Sequence, residues 1–173
     1  PIKGAIELAA ELGKECPVFS VSEPSLRVPR EISELLQNVL VHILRNSVDH
    51  GLEPADERSQ KGKDPQGRIT IKALTVDQRL VVAVADDGRG LDLVRLREKY
   101  IELHGAEKGS DASNEEIAEL IFSSGLSTAT ELTDISGRGV GMDAVRSFVS
   151  AQGGSVSLAL ARGHQESNAC PFE

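Results

Sequence analysis

Apolar residues at Ile32, Leu35, Leu36, Val39, Leu40, Ile43, Leu44 and Val48 fall at steps of mostly three and four, the spacing of one helix face. The stripe predicts an amphipathic helix of about five turns, with Gly51 ending it. Upstream, positions 4–13 predict the tail of a helix closing at Gly13, and Cys16 to Ser22 alternates as a strand does. Downstream, Ile69 to Val76 and Leu80 to Ala85 are Val- and Ile-rich runs joined by a short turn at Asp77-Gln78. They predict a hairpin whose second strand delivers Asp86 at its C-terminal end.

Leu91 to His104 reads as an amphipathic helix, Gly105 to Ser113 as a polar loop, and Ser113-Asn114-Glu115-Glu116 as the cap and acidic first turn of a helix reaching Phe122. Ser123 to Ser136 is rich in Ser, Thr and Gly without periodicity, which predicts a mobile lid between two helices. Val140 to Gln152 predicts the last helix, Gly153-Gly154 its end, Ser155 to Ala161 a strand, and Ala169 to Phe172 the start of another. From Glu53 to Gly67 the residues are polar, broken by Pro54, Gly62, Pro65 and Gly67, so a surface connection is expected there. This order of elements predicts an α+β fold, with a mixed, mostly antiparallel sheet and helices on one face, rather than a doubly wound sheet.

Composition narrows the classes. At 173 residues the chain has the size of one domain, and with 39% hydrophobic and 27% charged residues it has the make-up of a globular one. No apolar run approaches the roughly 20 residues of a membrane span. A net charge of −8 disfavours nucleic acid as the main partner, because phosphate backbones draw on clustered Lys and Arg. Two cysteines, Cys16 and Cys170, make neither a disulfide framework nor a metal pattern, so a reducing, cytoplasmic setting is expected. The chain starts at Pro1 without Met or a leader and stops at Glu173, which reads as a piece of a longer protein.

Candidate chemistry sits in three distant segments. On the long helix Asn38, His42, Asn46 and His50 recur every four residues, flanked by Arg45 and Asp49, and make a polar stripe of amides and imidazoles. A solvated face is the plainer account of such a stripe, but Lys and Glu are its usual residues. Asn46 offers the oxygen that Mg²⁺ prefers, and His42 can accept or orient a proton near neutral pH. A zinc site fits poorly, for want of the ligand spacing. Asp86, ahead of Gly88 and Gly90, can accept a hydrogen bond from an adenine amino group where the glycines let a flat base approach, although Asp-Gly alone is an ordinary turn. Gly137, Arg138, Gly139, Val140, Gly141 and Met142 open a helix, whose free amides and dipole suit phosphate. This is not a Walker loop, since Gly62-Lys63 is followed by Asp64, and Met142 breaks the dinucleotide fingerprint.

These strings resemble the ATP-binding domains of CheA-like, chemotaxis-type histidine kinases, within the gyrase, Hsp90, histidine kinase and MutL ATPase superfamily. The likeness runs from about Leu35 to Ser157 and is carried by His42-Ile43-Leu44-Arg45-Asn46-Ser47-Val48-Asp49-His50-Gly51-Leu52-Glu53, by Asp86-Asp87-Gly88-Arg89-Gly90, by Gly125-Leu126-Ser127-Thr128, and by Ser136-Gly137-Arg138-Gly139-Val140-Gly141-Met142-Asp143. The resemblance implies a two-layer α/β sandwich of the Bergerat type that binds ATP and Mg²⁺. It implies that Asn46 holds the metal, that His42 assists proton movement with Arg45 and His50 near the phosphates, and that Asp86 recognises adenine beside Gly88 and Gly90. Ser127, Thr128 and the 137–142 run belong to the lid, and Arg95 is a further phosphate candidate. It also implies transfer of the γ-phosphoryl to a histidine on a separate phosphoacceptor domain, then to a response regulator, with dimerisation through segments outside this chain. As an isolated domain it is expected to turn ATP over slowly.

The chain departs from the family pattern at Ser124 and Leu126, where Pro and Phe are usual around Gly125, and at Ala169-Cys170, where Gly-Thr is common. A thiol is the poorer hydrogen-bond partner there. Two rival readings are a non-catalytic nucleotide sensor whose lid controls partner binding, and a gyrase- or MutL-like ATPase acting on DNA. The acidic charge and the Arg45 to Gly51 string disfavour the latter.

Overall fold

The computed structural model describes residues 1–22, 27–123, 141–160 and, for the backbone alone, 169–170. They form two compact units. The first holds Pro1–Leu91 with the described residues from Leu160 onward, and the second is Asp92–Ala159.

The first unit is built on a three-stranded sheet in the order β1-β2-β3, with β1 at Val18–Ser22, β2 at Arg68–Val76 and β3 at Arg79–Asp86. β1 runs parallel to β2, pairing Phe19 with Ile69, and β2 runs antiparallel to β3, pairing Ile69 with Asp86 and Ile71 with Val84. The hairpin turn puts Asp77 at φ 47 and Gln78 at φ 63. Two consecutive positive φ values make a type I′ turn, whose twist matches that of the strands.

Two helices cover one face of this sheet. Helix α1, Ile2–Glu11, closes at Gly13 with φ +64, and α2, Arg30–Asn46, is the long helix that the apolar stripe predicts. Ala5 and Ala9 of α1, Leu44 of α2, then Val48 and Leu52, meet Ile69 and Ile71 of β2, with Phe19, Leu40, Val82 and Val84 packed around them. The opposite face leaves Leu74 and Val81 exposed. A mixed, largely antiparallel sheet covered by helices on one side is the α+β, Bergerat-type layering that the sequence predicts.

Two departures lie in this unit. The long helix does not run on as an α-helix to Gly51: Ser47–Gly51 is a π-helical turn, with the Leu52 amide donating to the Ser47 carbonyl at 2.7 Å. The stretch from Glu53 to Gly67 is more than a surface connection, since it holds α3, Ala55–Gln60, and two buried charged residues, Glu53 and Arg58. Their charges answer each other, which is why a polar sequence goes inside.

In the second unit α4, Leu93–His104, starts from an Asp92 cap whose Oδ1 accepts from the Arg95 amide at 3.0 Å. The expected loop after it contains a helix, α5, Ala106–Asp111. Gly109 explains it. Any β-carbon there would lie 2.2 Å from Ile101, so only glycine lets α5 come this close to α4, while Arg97 Nη1 binds the Gly109 and Ala112 carbonyls. Helix α6, Asn114–Ala118, has the capping box that the sequence predicts between Ser113 and Glu116, and continues as a 3-10 turn, Glu119–Phe122. The last helix, α7, is Met142–Ala151. Over 155–159 the expected strand has no ladder, although Val156 and Leu158 are half-buried and their neighbours exposed, in strand-like alternation. Leu91–Asp92 and Ala169–Cys170, β4 and β5, form a separate two-stranded sheet, so Leu91 does not open the helix. The expected lid, Ser123 to Ser136, lies outside the described residues from position 124 onward.

Leu44 is fully buried, so Leu44→Ala is expected to cost about 2–5 kcal/mol in urea unfolding. Gln78 sits in the left-handed region, so Gln78→Gly is expected to add about 0.5–1 kcal/mol in the same assay.

Candidate functional site

The end of the long helix and the loop after β3 are fastened to each other. Ser47 donates its hydroxyl to the Asp86 carboxylate, and the Gly88 amide donates to Asp86 Oδ1 at 3.0 Å. Across the gap the Arg89 amide donates to the Gly51 carbonyl at 2.9 Å. Glycine is required at position 88, and little space is left for a side chain at Gly51. A β-carbon on Gly51 would lie 3.2 Å from both Asp86 carboxylate oxygens, and one on Gly88 would lie 2.3 Å from the Gly51 carbonyl oxygen. Gly90, with φ +69, turns the chain away after it.

Asp86 is only 7% exposed. Burial pushes its carboxyl above the usual range, Ser47 and the Gly88 amide pull it back, and the charges of Asp87 and Glu53 push it up again. Its folded value lies above its unfolded value, so its contribution is fully present below the ordinary value of 3.8 and is lost as pH rises through the folded one. Once ionised, above that folded value, Asp86 therefore costs stability, a common signature of a group kept for binding.

The π-helical turn is held from below by Lys14, whose ammonium donates to the carbonyls of Val48 at 2.6 Å, Asp49 at 2.7 Å and Leu52 at 2.9 Å. Burial lowers its pKa, more than Asp49 beside it raises it. Helical carbonyls freed by the irregular winding thus find a cationic donor.

A second clamp holds the loop from the side. Arg58, 1% exposed, donates from Nε to the Asp64 carbonyl at 2.6 Å, from Nη1 to Glu53 Oε2 at 3.1 Å and the Asp87 carbonyl at 3.2 Å, and from Nη2 to Asp87 Oδ2 at 2.9 Å. Lys63 joins Glu53 Oε1 at 2.9 Å to the carbonyls of Asp87 at 3.0 Å and Gly88 at 2.8 Å. Burial alone would raise the Glu53 carboxyl, but the hydrogen bond from Lys63, the backbone and the charge of Lys63 outweigh it and hold it below the ordinary range.

Of the predicted site residues, Asn46 is half-buried at the last position of α2 and His42 half-buried one turn before it, while Arg45 and His50 are exposed. His50 lies on the π-helical turn, 3.7 Å from Asp49 Oδ2, and so does not extend the α-helical four-residue stripe. These residues and Asp86, Gly88 and Gly90 belong to the first unit. Arg95, exposed on α4, and Gly141 and Met142, at the start of α7, belong to the second. Ser127, Thr128, Gly137, Arg138, Gly139 and Val140 lie outside the described residues. Sequence reasoning missed Ser47, Lys14, Glu53, Arg58 and Lys63. Ser47 and Glu53 had a signal, their place in the His42 to Glu53 string, and the others had none.

The residues fit a magnesium-bound adenine nucleotide. Asp86 is a buried acceptor at the end of β3, and Asn46 is a neutral oxygen donor at the end of α2, next to the turn that Asp86 meets. Among the described residues no three of His, Cys, Asp or Glu converge as a metal cage. Mg²⁺ held largely by phosphates and water needs none. No helix among the described residues is long and apolar enough to cross a membrane.

Residues 31–169 match the family described as histidine kinase-, DNA gyrase B-, and HSP90-like ATPase. The chain is 38% identical over 152 residues to the chemotaxis protein CheA of Rhizobium meliloti, covering 88% of this chain and 20% of that protein. It is 42% identical over 154 residues to the gliding motility regulatory protein of Myxococcus xanthus, covering 88% and 20%. It is 38% identical over 155 residues to the sensor histidine kinase CheAY of Helicobacter pylori, covering 88% and 19%. The chain thus spans about a fifth of the length of these relatives.

Glu53→Gln leaves the buried Arg58 short of a countercharge and is expected to cost about 3 kcal/mol. Because the Glu53 carboxyl is lowered on folding, that contribution is present above the ordinary value of 4.5 and is lost as pH falls through the folded one. Urea titrations between neutral pH and pH 3 should show the variant's deficit shrinking toward the acid end. A deficit independent of pH would contradict this assignment.

Proposed function

The chain belongs to the histidine kinase-, DNA gyrase B- and HSP90-like ATPase family, and we propose that it is the ATP-binding catalytic domain of a histidine protein kinase. In this reading the γ-phosphoryl of ATP passes to a histidine on a separate phosphoacceptor domain and then to a response regulator, in two-component signalling of the chemotaxis type. The family match runs through both compact units, which supports a single ATP-binding domain. The relatives, a chemotaxis protein, a gliding motility regulatory protein and a sensor histidine kinase, support the signalling role. Dimerisation falls to segments outside this chain, nucleic acid and membrane are not partners of this domain, and the setting is cytoplasmic.

One observation carries the reading: a buried carboxylate, Asp86, is fixed against the turn that follows Asn46 on the long helix. Asp86 accepts from the adenine amino group, with Gly88 and Gly90 in the loop beside the base. Asn46 offers its side-chain oxygen to Mg²⁺, which when bound neutralises charge on the phosphates. His42 orients a proton near the transferring group, with Arg45 and His50 toward the phosphates. Phosphoryl transfer demands mainly positioning and charge neutralisation, so the isolated domain turns over slowly without its acceptor.

Asp86→Asn is expected to weaken ATP binding at least about tenfold by replacing an acceptor with an amide that can turn a donor to the base. Asn46→Asp and Asp86→Asn are each expected to abolish transfer of label from γ-labelled ATP to an added phosphoacceptor domain. Undiminished labelling with both variants refutes the assignment. ATP binding by the wild type without labelling of any histidine would favour a nucleotide sensor instead.

A further inference from the structure

Asp86 is the group on which base recognition is proposed to turn, yet its own strand does not fix the direction of its carboxylate. Besides the Ser47 hydroxyl, the Gly88 amide does, through its 3.0 Å bond to Oδ1. That amide shares a planar, trans peptide group with the Asp87 carbonyl, so the two point in opposite directions and cannot turn independently. The Asp87 carbonyl is held by two cations, Lys63 Nζ at 3.0 Å and Arg58 Nη1 at 3.2 Å. Lys63 also takes the next carbonyl, that of Gly88, at 2.8 Å. The Asp87 side chain is pinned at both oxygens, Oδ1 by the Arg68 amide at 2.8 Å and Oδ2 by Arg58 at 2.9 Å. Behind the two cations, Glu53 supplies the countercharge from a buried position.

We propose that Lys63 and Arg58 are positioning residues for base selection. By holding the Asp87 carbonyl they set the direction of the Gly88 amide, and through it the orientation of the carboxylate that accepts from adenine and repels guanine. The proposal rests on the reading of Asp86 as the adenine contact. Its chemistry is general: adenine presents an amino donor where guanine presents a carbonyl acceptor, so a carboxylate aimed at that edge discriminates by sign. If the peptide turned over, the Gly88 amide would leave Oδ1 and the Asp87 carbonyl oxygen would face the carboxylate instead. The loop's glycines make such a turn sterically easy, and the two cations oppose it.

The test uses the 173-residue chain, with Lys63→Met keeping length and losing charge. Wild type and variant are titrated with ATP and with GTP, and thermal unfolding verifies the fold of each. ATP affinity is expected to fall about tenfold, and the preference for ATP over GTP to narrow about fivefold, with partial recovery in Lys63→Arg. The Gly88 amide proton, shifted downfield by its carboxylate partner in the wild type, is expected to move upfield in Lys63→Met. A folded variant whose ATP affinity and ATP-to-GTP ratio stay within about twofold of wild type overturns the proposal. So does an equal loss for both nucleotides, the outcome of a merely structural role. Should Lys63→Met not fold, the same ratio and amide signal are read in Lys63→Gln. A wild-type chain that binds neither nucleotide is a distinct failure, which removes the ATP reading and this proposal with it.

Discussion

The contact between Asp86 and the turn after the long helix is the constraint on which the site depends. An ionised carboxylate buried to this degree costs free energy, a cost that the Ser47 hydroxyl and the Gly88 amide reduce without cancelling. Gly88 allows the approach, because a side chain there would strike the Gly51 carbonyl, and at Gly51 a β-carbon would crowd the Asp86 carboxylate. The result is that two of the three segments bearing candidate chemistry, one helical and one following a strand, are fastened to each other within the first unit.

Charge does two jobs around this contact. Lys14 spends its three donors on carbonyls of the π-helical turn, and Arg58 and Lys63 spend theirs on carbonyls of the loop. Neither group of cations is aimed at solvent, and both stabilise irregular backbone that regular secondary structure would have satisfied by itself. Buried ion pairs of this kind add little net stability compared with an apolar core, but removing one partner is costly, which makes them suited to fixing geometry.

How much of this was legible depended on whether the signal was periodic. The stripe from Ile32 to Val48 and the alternation on either side of Asp77-Gln78 gave the helix, the hairpin and the mixed sheet, because one buried face imposes its period on the sequence. The Ser113 to Glu116 box gave a helix start for the same local reason. Glu53, Arg58 and Lys63 were read as solvent-facing, since a single sequence cannot tell a charge paired across 5 or 29 positions from a hydrated one. The π winding at Ser47–Gly51 was hidden because its cause, Lys14, lies 34 residues away from the carbonyl of Val48 that it holds. Helix α5 was missed because its packing depends on the absence of a side chain at Gly109, where glycine reads as a breaker. Asn46 and Asp86 were legible as residue types, whereas their fastening through Ser47 and Gly51 required the folded chain.

The most direct test follows the backbone amide signals of residues 46–51 and 86–90 while a non-hydrolysable ATP analogue is added, with and without Mg²⁺. The account predicts saturable shifts in both segments with one common midpoint, tightened by the metal. Shifts confined to one segment, or none at millimolar analogue, would contradict it.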